Sequence, residues 1–137
     1  MIGKPRGLYV VVVVNLLFAI GVLVFASMTG YYGGQNAGPG SDAFPSLAIL
    51  VGIEVLFALL FLDASYATYR LKKRARLENT ILAVVLFSFA GMLLLIDFSP
   101  QGKTPAITLP THGFAFLYAL WNMYYMRRAE IKSLFVS

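Results

Sequence analysis

Residues 8–28 form an apolar stretch without a single charged side chain, and residues 45–69, 79–98 and 107–126 form three further apolar stretches. A helix needs about 20 such residues to cross the ~30 Å hydrocarbon core of a bilayer. Charged residues make up only 12% of the 137 residues, against about 25% in an ordinary soluble domain. The sequence therefore predicts an all-α integral membrane protein. We expect one domain, residues 1–137, in which four transmembrane helices form a bundle of two hairpins.

The segments between the stretches are short. Residues 30–44 are rich in glycine and contain one proline, a composition that predicts an exposed, non-helical connection. The run of the fourth stretch that follows Pro110, residues 111–126, is the shortest of the four, and its sixteen residues would rise only about 24 Å as a helix. Either residues 107–109 complete that span, or the outer end of the helix lies deep in the membrane.

Positive charge is distributed unevenly between the two ends of the predicted helices. The leader carries two Lys or Arg residues, the connection 70–78 carries five and the tail after residue 126 carries three. The connection 30–44 carries none, and the connection 99–110 carries only Lys103. Cytoplasmic loops are enriched in Lys and Arg, so both termini are predicted to lie in the cytoplasm.

The absence of several residue patterns limits the chemistry of the chain. It has no cysteine and a single histidine, His112, which excludes disulfides, thiolate metal sites and bis-histidine haem within one chain. Neither a nucleophile elbow nor a phosphate-binding glycine loop is present, and no basic face with stacking aromatics points to nucleic acid. We expect no catalytic residue, no bound metal and no cofactor, although a place in a membrane enzyme complex stays open.

Three polar side chains are predicted to lie at one depth in the inner leaflet. Helix rise places Asn15 and Asp63 about 10 Å from the cytoplasmic ends of their helices, and Asn122 slightly closer to its own end. Polar side chains between membrane helices hold the helices in register, and this structural role is the preferred interpretation. A polar floor of a substrate or proton path is the alternative.

Glu54 is the best single candidate for function. It lies nine residues after Pro45, about 14 Å along the helix and close to the middle of the membrane. Its spacing from Asp63 places the two carboxyl groups on opposite faces, which argues against a shared proton. Three interpretations remain open: a protonatable transport site, a neutral acid hydrogen-bonded between helices, and a contact to a partner chain.

Two further sets of residues lie at the membrane boundaries. His112 and Asp97 are expected at similar depth on the outer side, as a titrating pair or as ligands of a metal shared with another chain. An interfacial histidine that caps the hairpin is the preferred interpretation. The connection between the second and third helices is expected to contact anionic lipid headgroups or to set topology. Its basic residues are Arg70, Lys72, Lys73, Arg74 and Arg76.

The fourth stretch is rich in aromatic residues, and these are expected to line a ligand groove or to form an interfacial belt. The belt is the preferred interpretation for Trp121, Tyr124 and Tyr125. The halves 1–70 and 71–137 share a loose pattern that a duplicated hairpin would explain: proline opens the second helix of each half, and tyrosines followed by arginine close it.

Residues 114–135, FAFLYALWNMYYMRRAEIKSLF, resemble the last helix and tail of small, uncharacterised multi-pass membrane proteins of prokaryotes. The resemblance implies the plasma membrane of a bacterium or archaeon and no particular activity. Together with small size and the lack of a complete site, it favours an accessory or scaffold subunit that contacts lipid and other membrane subunits. The alternative is a small homo-oligomeric transporter or channel that uses Glu54.

Overall fold

The structure is a computed structural model that describes residues 5–37, 44–98 and 108–135. All regular secondary structure in these ranges is helical, as predicted. The helices are α1 (Arg6–Ala37), α2 (Phe44–Tyr69), α3 (Arg74–Asp97), α4 (Thr108–Arg127) and α5 (Ala129–Lys132).

Three of these helices are long and apolar enough to cross a membrane: α1 over Arg6–Gln35, α2 over Pro45–Tyr69 and α3 over Arg74–Leu95. Of the four predicted spans, three are therefore supported as candidate membrane-spanning helices in the described part of the chain. Although α4 has 20 residues, its first turns contain Thr108, Thr111 and His112, which lower its apolar content.

Helices α1 and α2 pack against each other as an antiparallel pair, here called hairpin 1. The rings of Phe18 and Phe61 stack with centroids 5.5 Å apart. Closer to the start of α1, the Ser65 hydroxyl donates a hydrogen bond to the Val12 carbonyl oxygen at 2.9 Å. Because the two helices are antiparallel, residues later in α1 lie beside residues earlier in α2.

The expectation that residues 30–44 form a non-helical connection is wrong for its first half, because α1 continues to Ala37. With 32 residues, α1 is about 48 Å long, which exceeds the hydrocarbon core. Glycine has low helix propensity, but tertiary packing overrides propensity. Here Gly33 lies against Leu47 of α2 and Gly30 against Val51, so glycine allows the two helices to stay close beyond the apolar stretch.

Alanine substitutions at two neighbouring glycines distinguish the effect of helix propensity on stability from the effect of close helix packing. A Cβ at Gly33 would lie 2.5 Å from Cδ1 of Leu47, whereas a Cβ at Gly34 would meet nothing within 4 Å. Alanine gains about 1 kcal/mol over glycine in a helix. We expect Gly34→Ala to raise the thermal unfolding midpoint in detergent and Gly33→Ala to leave it unchanged or lower it. Equal stabilisation by both variants would contradict close packing at Gly33.

Helices α3 and α4 form a second antiparallel pair, hairpin 2. Phe87 and Phe116 stack with ring centroids 4.5 Å apart, and Nε of Arg76 donates to the Met126 carbonyl oxygen at 3.5 Å. The short helix α5 contacts α4. The chain divides into two compact units, Met1–Arg70 and Leu71–Ser137, so each hairpin belongs to a unit of its own.

Candidate functional site

Glu54 lies on the face of α2 that packs against α1. Ala58 and Phe61 follow it at helical spacings of four and seven residues, and both are buried. Oε2 of Glu54 is enclosed and accepts no hydrogen bond from any residue that the structure describes. The residue as a whole is only half-buried, so this carboxyl group lies at the edge of the α1–α2 contact, and its Oε2 has no hydrogen-bond partner among the described residues.

Asn15 and Asp63 lie at the same level of hairpin 1, between the Phe18–Phe61 and Val12–Ser65 contacts. Asn15 is 1% exposed, and both residues take part in polar interactions. The common depth of these two was predicted from the sequence, but the burial of the polar residue Thr68, five residues after Asp63 on α2, was not. Thr68 lies seven residues after the buried Phe61, which places both on the same face of α2. This helical spacing could have identified Thr68 as buried.

The polar level of hairpin 2 contains Asn122 and Asn79, which are 2% and 0% exposed. Nδ2 of Asn79 donates to the Ala75 carbonyl oxygen at 2.7 Å. The burial of Asn79 was not predicted, because the third helix was expected to begin at this residue, whereas α3 begins five residues earlier at Arg74. Asn122 and the pair Asn15–Asp63 belong to different units, so their meeting in one layer stays a prediction.

His112 is half-buried near the start of α4 and takes part in an interaction. The side chain of Asp97 lies outside the described residues, so the His112–Asp97 pair also stays a prediction. Within the described ranges, no group of three or more His, Cys, Asp and Glu residues is close enough to hold a metal ion.

Two arginines of the basic connection between the hairpins have polar partners within hairpin 2. Nε of Arg74 pairs with Oε1 of Glu78 at 3.1 Å, and Arg76 donates to the end of α4. Arg70 and Lys73 are exposed and are available to lipid headgroups. Leu71 has φ 54°, a left-handed conformation typical of the residue that follows a helix, so the chain turns sharply after α2.

Four aromatic rings follow one another along one face of α4. Ring centroids are 6.4 Å apart from Phe114 to Tyr118, 6.1 Å from Tyr118 to Trp121 and 4.9 Å from Trp121 to Tyr125. Tyr125 is 7% exposed, whereas Tyr124 is 71% exposed. Tyr124 therefore fits the expected interfacial belt, whereas Tyr125 belongs to the packed interior.

Comparison of the chain with protein-family models, with curated proteins and with solved structures finds no match.

Proposed function

We propose that the chain is a small, non-catalytic subunit of a larger membrane assembly, in which its two hairpins form a four-helix bundle. The observation that supports this most directly is that a carboxyl oxygen of Glu54 is enclosed without a hydrogen bond. An ionisable side chain inside a bilayer is costly and is normally paired. In the described part of hairpin 1 its enclosed oxygen has no hydrogen-bond partner, so another chain is the natural source of one.

The exposed surface of the helices supports the same proposal. Only 22%, 17% and 22% of the spanning windows of α1, α2 and α3 are buried. The remaining apolar surface is available to lipid tails and to other membrane helices, between which van der Waals packing drives association. A chain with this much free surface suits a subunit that packs between larger components.

The runner-up is a small homo-oligomeric transporter or channel in which Glu54 couples transport to proton or ion binding. The position of Glu54 at the edge of the α1–α2 contact favours it, because a half-buried carboxyl group can reach a path formed between copies. The two proposals differ in the partner of Glu54, which is a different polypeptide in the first and a second copy of this chain in the second.

Photo-crosslinking in native membranes distinguishes the two. A photoreactive residue at Ile53, which is 46% exposed beside Glu54, is expected to yield one product containing this chain and a different polypeptide. Ala58 is 0% exposed, and the same residue there is the control that should yield no intermolecular product. A product of twice the 15.1 kDa chain mass would favour the transporter, and no protein product at Ile53 would contradict both.

The proposed setting is a prokaryotic plasma membrane with both termini in the cytoplasm, supported by the charge asymmetry and by the resemblance of residues 114–135. Since the chain has no cysteine, a single introduced cysteine is its only thiol, and the labelling of that thiol shows on which side of the membrane the residue lies. In intact cells an impermeant thiol reagent is expected to label Ser41→Cys and to leave Lys73→Cys unlabelled until the membrane is opened. The reverse pattern would overturn the orientation.

A further inference from the structure

Hairpin 1 contains five of the eight tyrosines of the chain, and each of the five is exposed. They lie in two groups, one at each end of the hairpin. The end with the start of α1 is here called the base, and the opposite end is called the tip. An exposed tyrosine favours a membrane boundary, where its ring meets lipid and its hydroxyl meets water. The base holds Tyr9, Tyr66 and Tyr69, and the tip holds Tyr31 and Tyr32.

The packing of α1 on α2 brings tyrosines of both helices to one level at the base. The Ser65 hydroxyl donates to the Val12 carbonyl oxygen, so these two residues lie beside each other. Tyr9 comes three residues before Val12, and Tyr69 comes four residues after Ser65. Since the helices are antiparallel, Tyr9 and Tyr69 lie at about the same height along the hairpin.

The tip level lies one membrane thickness away from the base level. Gly30 of α1 lies against Val51 of α2, which places Tyr31 at the height of Leu50. From Tyr9 to the tip level, α1 rises through 22 residues, or about 33 Å. Along α2 the two levels are 19 residues apart, or about 29 Å. Both lengths match the ~30 Å hydrocarbon core of a bilayer.

The surface between the two levels is suited to lipid tails. The structure describes this part of hairpin 1 completely, and apart from the tyrosines its exposed side chains are apolar with one exception, Ser27. The Ser27 hydroxyl donates to the Leu23 carbonyl oxygen at 2.8 Å, so it needs no partner from outside the helix. The tyrosines therefore enclose a continuous apolar band.

The helices of hairpin 1 continue past the tip level. α1 extends six residues beyond Tyr31, to Ala37, and α2 begins six residues before Leu50, at Phe44. If the whole apolar span of 30 residues in α1 lay within the core, its ~45 Å would need a tilt of about 48°, beyond the usual 0–40° of membrane helices. A tip that extends beyond the core avoids this tilt.

We propose that the five tyrosines bind the two headgroup boundaries of a bilayer and thereby hold Glu54 close to the tip boundary rather than in the middle of the membrane. Glu54 lies four residues past Leu50, about 6 Å inside the core. Asp63 lies six residues before Tyr69, about 9 Å from the base boundary. The middle of the core falls at Leu60, where α2 carries no polar side chain.

This placement changes the expected depth of Glu54 and the direction from which a partner reaches it. The depth predicted from the sequence was counted from Pro45, as if the core began where the apolar stretch begins. A carboxyl group near a boundary is less costly than one at the bilayer centre. If Glu54 has the partner of the proposed function, on which this last step rests, that partner contacts it from the tip half of the membrane. The depth itself needs no partner and is measured on the purified chain, so the two proposals can fail separately.

Spin labels on single cysteines test the placement. The full-length chain is held in dioleoylphosphatidylcholine bilayers, and label depth is read from accessibility to oxygen and to a water-soluble nickel complex. Ile53 and Leu60 are 46% and 45% exposed, so both accept a label. The label at Leu60 is expected about 9 Å deeper than the label at Ile53. Equal depths, or a deeper label at Ile53, would overturn the placement.

A label at Ile20 is the control on the other helix. Ile20 is 50% exposed and lies 11 residues from both Tyr9 and Tyr31, so its label should be as deep as the label at Leu60. A label at Ile20 as shallow as the label at Ile53 would contradict the common levels of the two helices.

The double substitution Tyr31→Leu and Tyr32→Leu tests whether the tyrosines hold the hairpin in place. Leucine has no hydroxyl to keep at the boundary, so the tip is expected to enter the core and the label at Ile53 to move deeper by up to about 5 Å, one helical turn. Phe25→Leu, at a 62% exposed position between the two levels, is the control and should leave the label unmoved. An unmoved label in the double variant as well would overturn the role of the tyrosines.

Discussion

Glu54→Leu is expected to stabilise the isolated chain and to release it from its assembly. Leucine is similar in size and removes a carboxyl oxygen that is enclosed without a hydrogen bond. Relief of such a group contributes about 1 kcal/mol, which corresponds to a rise of a few degrees in the thermal unfolding midpoint. Loss of the partner's hydrogen bond or ion pair should lower the amount of co-purified partner by about tenfold, equivalent to 1.4 kcal/mol.

Asp63 supplies the matched control on the same helix. It takes part in a polar interaction, so Asp63→Leu is expected to lower the unfolding midpoint in detergent, because it leaves the group that interacts with Asp63 without its partner. Thermal unfolding followed by circular dichroism compares the two variants directly. If Glu54→Leu destabilised the chain as much as Asp63→Leu, Glu54 would have its partner inside the hairpin, and the argument for an external one would fail.

Ala19→Leu is expected to cause the largest loss of stability among single substitutions in hairpin 1. Ala19 is 0% exposed and lies beside the Phe18–Phe61 contact, where α1 and α2 approach closely. Insertion of a larger side chain into a packed interior costs about 1–3 kcal/mol. The unfolding midpoint should therefore fall by several degrees.

Gly21→Leu, two residues further along α1, is the control for this substitution. A Cβ atom at Gly21 meets nothing within 4 Å, the position is exposed, and leucine is a better helix former than glycine. The midpoint of this variant is expected to stay the same or to rise. Equal destabilisation by both substitutions would show that leucine disturbs α1 itself rather than its contact with α2.

The sequence was informative about the position of polar residues along the helices and less so about which faces they occupy. Its apolar stretches predicted α2 almost to its ends, because charge begins directly after Tyr69. The position of Glu54 along α2 also followed from the sequence. The direction in which Glu54 points could not be predicted from the sequence. Helix α2 is apolar on all sides, and only its contact with α1 distinguishes one face.

Helix ends were predicted poorly wherever a helix leaves the apolar stretch. α1 runs past Gly33 because Leu47 packs there, a tertiary contact without a local sequence signal. α3 begins at Arg74, within the basic connection, since arginine, alanine and leucine favour helix whether or not lipid surrounds them. The buried role of Asn79 was missed for the same reason.

The mass of the native particle that contains this chain tests the proposed function most directly. After extraction from native membranes in mild detergent, native mass spectrometry should show the 15.1 kDa chain in a particle with at least one different polypeptide at fixed stoichiometry. The Glu54→Leu variant should shift the chain to a free form of lower mass. A particle whose mass is a whole multiple of 15.1 kDa, unchanged by Glu54→Leu, would contradict the account.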